Sequence, residues 1–293
     1  MKETDLAWLG GMIGGEGGLR YRKHNSSSGR HNWQLQLRVN MGEEEYVRRI
    51  ARLCGASYRI QPSGKYWEVY LLGSRALNVL KETKSYLYGF KAEAADVAKN
   101  LGPSVPGTLP RPILPSLKGK TKSNHLELNL NTRRSIPGSG RPLGLKQGDL
   151  AWLGGLTCAE AGLRYKKVKS KVATPKKTYT YFYWRLQLRV EMGEEAYVRR
   201  FAELCGVTYR KEPHAEYWEV VLGGRKALEL LKAMRPYLYG FKAQGADIAL
   251  RVGSSIPGRF SRPILPSLKG KRQMDRGGIE PPTSRVQGGR SYR

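Results

Sequence analysis

Acidic residues are scarce in this chain: 24 Asp and Glu stand against 52 Lys and Arg, a formal charge of +28. Such an excess strains a compact state by self-repulsion unless a polyanion relieves it, so nucleic acid is the expected partner. Long apolar runs are missing too. No stretch reaches the roughly 18 residues of a membrane-spanning helix, and the start has no charged segment leading into a short apolar one. The sequence therefore reads as soluble and intracellular, in cytoplasm, nucleoid or organelle matrix, with no membrane partner. Cysteine is rare. Cys54, Cys158 and Cys205 lie far apart without CxxC spacing, which excludes a disulfide framework and a zinc site and leaves them as small core residues. His24, His31, His125 and His214 show no ligand spacing and take no role.

What the chain does have is a folding composition, 293 residues with 40% hydrophobic content, and an internal duplication. Residues Asp5 to Lys120 return as Asp149 to Lys271. DLAWLGGMIGGEGGLRYRK is answered by DLAWLGGLTCAEAGLRYKK, LQLRVNMGEEEYVRRIARLCG by LQLRVEMGEEAYVRRFAELCG, and YLYGFKA and RPILPSLKGK recur unchanged. A solenoid needs three or more shorter repeats, so two long copies point to a pseudo-twofold pair of domains. Between them, Thr121 to Gly148 has the Asn, Ser, Gly, Pro and Arg content of a linker. Arg272 to Arg293 is almost free of apolar residues and reads as a disordered basic tail.

Each repeat reads as helix, two strands, helix, two strands, helix, an α+β domain. Asp5 and Asp149 are expected as N-caps of the first helices. In NWQLQLRVN, Leu35, Leu37 and Val39 alternate with Gln34, Gln36, Arg38 and Asn40, and the second copy alternates likewise, the signature of a half-exposed strand. A helix opens at Gly42-Glu43-Glu44 and is stopped by Gly55. YWEVYLLG and YWEVVLGG read as strands, and helical spacing over Ser74 to Val97 and Gly224 to Ala249 breaks near Tyr88-Gly89 and Tyr239-Gly240.

Glycine is placed oddly. Gly10, Gly11, Gly14 and Gly15 stand inside a helical pattern at a cost of up to about 1 kcal/mol each. The four-residue spacing of Gly10 with Gly14, and of Gly154 with Cys158, predicts a stripe almost without side chains along which the two helices pack. Each helix then ends on one acid, Glu16 or Glu160, where the macrodipole is unfavourable by about 0.3–1 kcal/mol. Paired helices would bring both like charges together, and divalent cations would remove the penalty. Two-carboxylate sites of this kind hydrolyse phosphodiesters.

WLGGMIGGEG at Trp8 to Gly17 and WLGGLTCAEA at Trp152 to Ala161 resemble the LAGLIDADG motif in its WLAGFIDGEG form, and the similarity extends over both repeats and most of the chain. The resemblance implies the fold of single-chain homing endonucleases: α+β, two pseudo-symmetric αββαββα domains over residues 1–120 and 149–271, with four-stranded antiparallel sheets that saddle the DNA major groove. It implies motif helices at the domain interface, with Glu16 and Glu160 binding catalytic Mg²⁺ or Mn²⁺. The implied activity is site-specific double-strand cleavage by a monomer, on a long pseudo-palindromic target, from an intron-borne or similar gene. The family's peripheral lysine matches Lys91 and Lys242, whose ammonium groups would stabilise charge on the scissile phosphate.

Departures from the pattern carry expectations of their own. Gly14 and Cys158 replace an Asp two residues before the ligand, and Ala161 replaces the glycine after the second ligand, so the halves are expected to be catalytically unequal. Met41 and Met192 stand where a polar residue closes the second strand, leaving open what positions the attacking water. Alternatives to cleavage are a maturase that binds intron RNA and a catalytically silent DNA-binding regulator; the intact acids favour cleavage over both.

Sequence readout is assigned to Arg20, Arg22, Gln34, Gln36, Arg38 and Asn40 in the first half, and to Arg164, Lys166, Arg185, Gln187 and Arg189 in the second. Arg grips guanine and Gln adenine in the major groove. Trp33, Trp67, Trp184 and Trp218 are expected to pack in sheet and core. From Tyr21 to Trp33 the first hairpin spans 12 steps, whereas Tyr165 to Trp184 spans 19. The seven extra residues bring in Lys167, Lys169, Lys171, Lys176 and Lys177, expected to reach phosphates at the outer end of one half-site. A chain ending at Lys271 is predicted to keep its melting temperature and cleavage specificity and to lose only non-specific DNA affinity, because the removed tail has nothing to bury; a large fall in melting temperature on truncation would contradict this.

Overall fold

The computed structural model describes residues 1–25, 31–116, 144–173, 177–213 and 215–266. Most of the expected linker (121–143), the basic tail, Lys176 at the second hairpin tip, His125 and His214 lie outside the described residues. In the first repeat the order is α1 (Glu3–Glu16), β1 (Gly17–Asn25), β2 (His31–Met41), α2 (Glu44–Cys54), β3 (Tyr58–Ile60), β4 (Trp67–Leu72), α3 (Gly73–Thr83), a 3-10 turn (Lys84–Tyr86), α4 (Gly89–Leu101) and β5 (Ser104–Pro106). The second repeat follows the same order: α5 (Gln147–Glu160), β6 (Ala161–Ala173), β7 (Thr178–Met192), α6 (Glu195–Cys205), β8 (Tyr209–Lys211), β9 (Trp218–Gly223), α7 (Arg225–Met234), a 3-10 turn (Arg235–Tyr237), α8 (Gly240–Val252) and β10 (Ser255–Pro257).

Each repeat folds one antiparallel sheet with the path β1-β2-β4-β3, or β6-β7-β9-β8 in the second copy. A fifth strand adds to the four that were expected. β5 pairs with Asn32 to Gln34 of β2, where β1 occupies the other edge, and so continues the edge that β4 leaves. Period-two alternation sends Tyr21, Leu35, Leu37, Val39, Val69 and Leu71 into the core and leaves the polar residues between them on the opposite face. Gly55 stops α2 in the left-handed conformation (φ 58°), as its position after Cys54 demands. Trp33 and Trp184 pack half-buried against the core and donate to the carbonyls of Leu109 and Phe260 at 2.9 Å.

Two local expectations are corrected. Asp5 and Asp149 are not N-caps: α1 starts after Lys2 and α5 after Lys146. Their carboxylates instead accept from Arg49 at 2.8 Å and Arg200 at 3.2 Å, tying the motif helices to α2 and α6. The helix-packing stripe also lies one residue later than the four-residue spacing suggested. A Cβ on Gly11 would come within 2.5 Å of the Trp152 carbonyl oxygen and 2.8 Å of the Leu156 nitrogen. Gly155 meets the Trp8 carbonyl in the same way, and Gly15 meets Ala159. Gly10 and Gly154 serve a different purpose, seating the backbones of Tyr86 and Tyr237 in the 3-10 turns. Gly14 receives the Tyr197 ring, and its counterpart Cys158 stands beside Tyr46.

The two domains therefore meet backbone to backbone along α1 and α5, and reciprocal hydrogen bonds hold them there. Trp8 Nε1 donates to the Tyr237 carbonyl and Trp152 Nε1 to the Tyr86 carbonyl, both at 3.0 Å. Tyr46 donates to the Tyr239 carbonyl at 2.8 Å, and the Arg49 guanidinium lies over the Trp8 and Tyr239 rings at 4.7 and 4.4 Å. Gly11→Ala is predicted to cost about 2–3 kcal/mol by overpacking this contact, a fall of roughly 5–10 °C in Tm for a chain of this size. Gly18→Ala, whose added Cβ would find its nearest neighbour at 3.7 Å, should be tolerated. Equal melting of the two variants would show that the helix pair is not close-packed.

Candidate functional site

The helix pair delivers both acids to one place. Glu16 ends α1 and Glu160 ends α5, and a Cβ on Gly15 would lie 2.9 Å from Glu160 Cγ. Burial at the helix ends, then the charge of Glu160, pushes the Glu16 carboxyl up to about 7, with Lys91 opposing. Burial raises Glu160 as well, against the pull of Lys91 and Lys242. Of the two lysines matched by resemblance alone, Lys91 thus stands within electrostatic reach of both acids and Lys242 within reach of Glu160. Lys91 is itself buried, which brings its ammonium down to about 8 even though Glu194, Glu16 and Glu160 favour its charge. Burial also lowers Lys242, whose Nζ donates to the Ala161 carbonyl.

Each lysine is carried by a helix whose N-terminus is capped from the other domain. At the start of α4, the Phe90 N–H donates to Glu194 Oε1 at 2.6 Å. At the start of α8, Phe241 donates to Glu43 at 3.0 Å and Gly240 to Glu45 at 2.9 Å. A carboxylate there satisfies orphan N–H groups and meets the positive end of the dipole. Gly89 (φ 51°) and Gly240 (φ 52°) are required twice over, since the backbone is left-handed and a Cβ would strike the capping glutamate. These caps escaped the sequence reading, in which Glu43 counted only as part of the opening of α2 and Glu194 had no role. Their spacing signals a local helix start and carries no information about a partner some hundred or more residues away.

The polar sheet faces hold the residues assigned to readout, with unequal freedom. Arg20, Arg22, Arg164, Lys166 and Arg185 are exposed. Gln36 is buried beneath Arg20, whose Nε donates to its Oε1 at 2.7 Å, and Arg164 makes a longer 3.4 Å bond to Gln187. Gln34 lies beside Gly73 and Asn40 is half-buried. Arg38 and Arg189 are anchored to acids the sequence reading passed over. Arg38 bonds Glu68 at 2.7 Å and Arg59 bonds it at 2.8 Å, while Arg189 and Arg210 grip Glu219 in the same way. Glu68 and Glu219 are each 2% exposed at the side chain. Burial alone would raise their carboxyls, but hydrogen bonds from the flanking arginines, joined at Glu68 by Tyr70, outweigh it and hold them below the usual range. Both acids sit at polar-face positions of β4 and β9, the one signal that could have revealed them.

Among the described residues, no group of three or more His, Cys, Asp or Glu is placed to hold a metal ion. A cation between Glu16 and Glu160 would take these carboxylates and complete its shell with water and phosphate oxygens, as Mg²⁺ prefers. Two partly desolvated like charges at negative helix ends fit such an ion. No helix among the described residues is long and apolar enough to cross a membrane.

In chelator, Glu16→Gln is predicted to raise stability at neutral pH. The folded carboxyl is pushed up to about 7 from an ordinary value near 4.5, so the wild type is most stable below the lower value and weakens as pH rises through the upper one. The outer side of Glu16 is exposed, so screening reduces the gain to about 1 kcal/mol, or roughly 2–4 °C in Tm. Calorimetry in EDTA should show the difference vanish near pH 4.5 and reach its full size above pH 7.5; a pH-independent difference would contradict the raised carboxyl.

No model of a protein family matches the sequence, and no curated protein matches it either. Solved structures do match. The LAGLIDADG meganuclease I-AabMI bound to uncleaved DNA aligns with 18% identity, a TM-score of 0.53, and coverage of 84% of this chain and 89% of that one. The I-LtrWI LAGLIDADG homing endonuclease bound to target DNA aligns at 14% identity and TM-score 0.51, covering 84% and 88%. The meganuclease I-SmaMI bound to uncleaveable DNA aligns at 12% identity and TM-score 0.51, covering 86% and 90%.

Proposed function

We propose that this chain, which has the fold of the LAGLIDADG homing endonucleases, is a site-specific double-strand DNA endonuclease using Mg²⁺ or Mn²⁺ held by Glu16 and Glu160. The observation that carries the reading is the meeting of Glu16, Glu160, Lys91 and Lys242 at the domain interface, where each acid immediately precedes the first strand of a basic hairpin. Bound there, the cation supplies Lewis-acid polarisation of a phosphoryl oxygen and a water of lowered pKa.

The protein's own groups do the rest. Glu16 and Glu160 place negative charge where two helix dipoles already point, so a divalent cation bound there would relieve the same repulsion and desolvation that raise both carboxyls. Lys91 and Lys242, carried on helices capped from the other domain, would offer preorganised positive charge to the scissile phosphate. Exposed Arg20, Arg22, Arg164, Lys166 and Arg185 grip the duplex on both sides, giving affinity through phosphate and selectivity through base edges. The halves differ in one respect that supports unequal roles: Lys242 is tied to the carbonyl of Ala161, the residue standing where the first half has Gly17.

A regulator or an RNA-binding maturase would leave the paired acids and buried lysines without a task. Glu16→Gln and Glu160→Gln are each predicted to reduce cleavage at least about 10³-fold while leaving duplex affinity within about threefold. Cleavage and gel-shift assays would use a duplex that the wild-type protein cuts in Mg²⁺. Undiminished cutting by the double Gln variant would sink the metal assignment, and wild-type cutting in EDTA would sink metal dependence altogether.

A further inference from the structure

The two hairpins present different tips. β1 and β2 pair from Gly17↔Val39 to Asn25↔His31, and β5 borders β2 over most of the outer part. β6 and β7 pair without interruption from Ala161↔Val190 to Ala173↔Thr178, each four residues longer than its counterpart. β10 borders β7 only from Arg185 to Tyr183, with one further bond from the Gly258 N–H to the Phe182 carbonyl at 2.8 Å. Beyond that point, among the described residues, the second hairpin is a two-stranded ribbon.

Unbroken pairing means unbroken alternation. Val168, Ser170 and Val172 continue the face of Arg164 and Lys166, opposite Tyr183, Tyr181 and Tyr179, which continue the face of Gln187 and Arg185. Lys167, Lys169 and Lys171 fall on the other face, with Trp184, Phe182 and Thr180. Side-chain contacts agree. The Lys167 ammonium lies over the Phe182 and Trp184 rings at 5.0 and 5.8 Å, and the Tyr181 and Tyr183 rings are 6.0 Å apart. Lys167, Lys169 and Lys171, expected at phosphates of the outer half-site, therefore stand behind the readout face, and a tyrosine ladder continues that face. Tyr179 is 55% exposed and Tyr181 48%.

We propose that Tyr179, Tyr181 and Tyr183 form a contact strip for duplex DNA flanking one end of the target, an extension that the first domain lacks. The inference rests on the DNA-binding reading above. Two observations select a duplex as the occupant. The strip is continuous in register with the exposed Arg164, Lys166 and Arg185, and no Asp or Glu occurs anywhere from Ala161 to Val190, so the whole ribbon suits a polyanion and repels a second copy of this chain. Tyrosine rings cover sugar surface while their hydroxyls donate to phosphate, which adds affinity with little base selectivity. In the first hairpin the pair equivalent to Val168↔Tyr183 is His24 with Asn32, and the paired strands end one residue further out at Asn25↔His31, so the strip is not a general requirement of the hairpin.

A matched pair of charge changes tests which face meets DNA. Ser170→Glu adds one negative charge directly opposite Tyr181, whereas Lys169→Glu changes the charge by two on the reverse face; neither removes a ring. A duplex recovered by the wild-type protein from a long randomised pool is compared with versions shortened at either end by about one helical turn. The wild type should lose about tenfold in affinity on shortening one end only, the scale of an aromatic contact with nucleic acid. Ser170→Glu and Tyr181→Thr should abolish that advantage, and Lys169→Glu should keep it. Loss with Lys169→Glu and retention with Ser170→Glu would move the contact to the lysine face and overturn the proposal, as would indifference of the wild type to shortening. Failure of the wild type to enrich any duplex would overturn the DNA-binding reading itself.

Discussion

The contact of α1 with α5 is the constraint from which the rest of the molecule follows. Gly11 and Gly155 each lie against a carbonyl of the facing helix, so the two backbones touch with no side chain between them. Small residues permit such an approach, and Gly11 and Gly15 in α1 sacrifice up to about 1 kcal/mol each to allow it. Because β1 and β6 begin at the residue after each helix, placing the helices also places both hairpins. The crossing brings Glu16 and Glu160 together as a by-product of packing.

Reciprocity makes the interface more than an apolar seam. The repeated YLYGFK segment supplies, in order, a carbonyl for the partner domain's tryptophan, a core leucine, a tyrosine against that tryptophan, a left-handed glycine beneath a foreign glutamate, and a lysine turned towards the acids. Neither domain alone caps its own lysine-bearing helix. The lysine and acid groups consequently share one composite site, and the desolvation that raises the carboxyls and lowers the ammoniums is a property of the pair of domains.

Recognition surfaces are less symmetric than the interior. Buried Glu68 and Glu219 hold Arg38, Arg59, Arg189 and Arg210 in place in both sheets, which stiffens four long side chains and leaves the outer arginines free. A buried acid gripped by two guanidiniums is well satisfied, and removing it would strand its partners. The hairpins diverge where nothing in the core restrains them, since past Tyr165 the odd-numbered positions of β6 leave the core and become exposed.

Local periodicity determined much of this protein. The alternation in NWQLQLRVN and its copy, the helix stop at Gly55, the break before Gly89 and Gly240, and the acids ending both motif helices could all be read from neighbouring residues, because backbone geometry repeats over a few positions. Duplication supplied the pseudo-twofold arrangement. Tertiary structure alone decided which glycine met which neighbour, shifting the helix contact from Gly10 to Gly11, and turned Asp5 and Asp149 from caps into partners for Arg49 and Arg200. It alone showed Glu43 and Glu194 reaching across to the other domain, and placed Lys167, Lys169 and Lys171 on the face of the second hairpin opposite to Arg164 and Lys166. The physical reason is common to these cases: sequence spacing orders residues along one element, whereas a cap, an ion pair or a face in contact is defined by a second element whose position only packing can set.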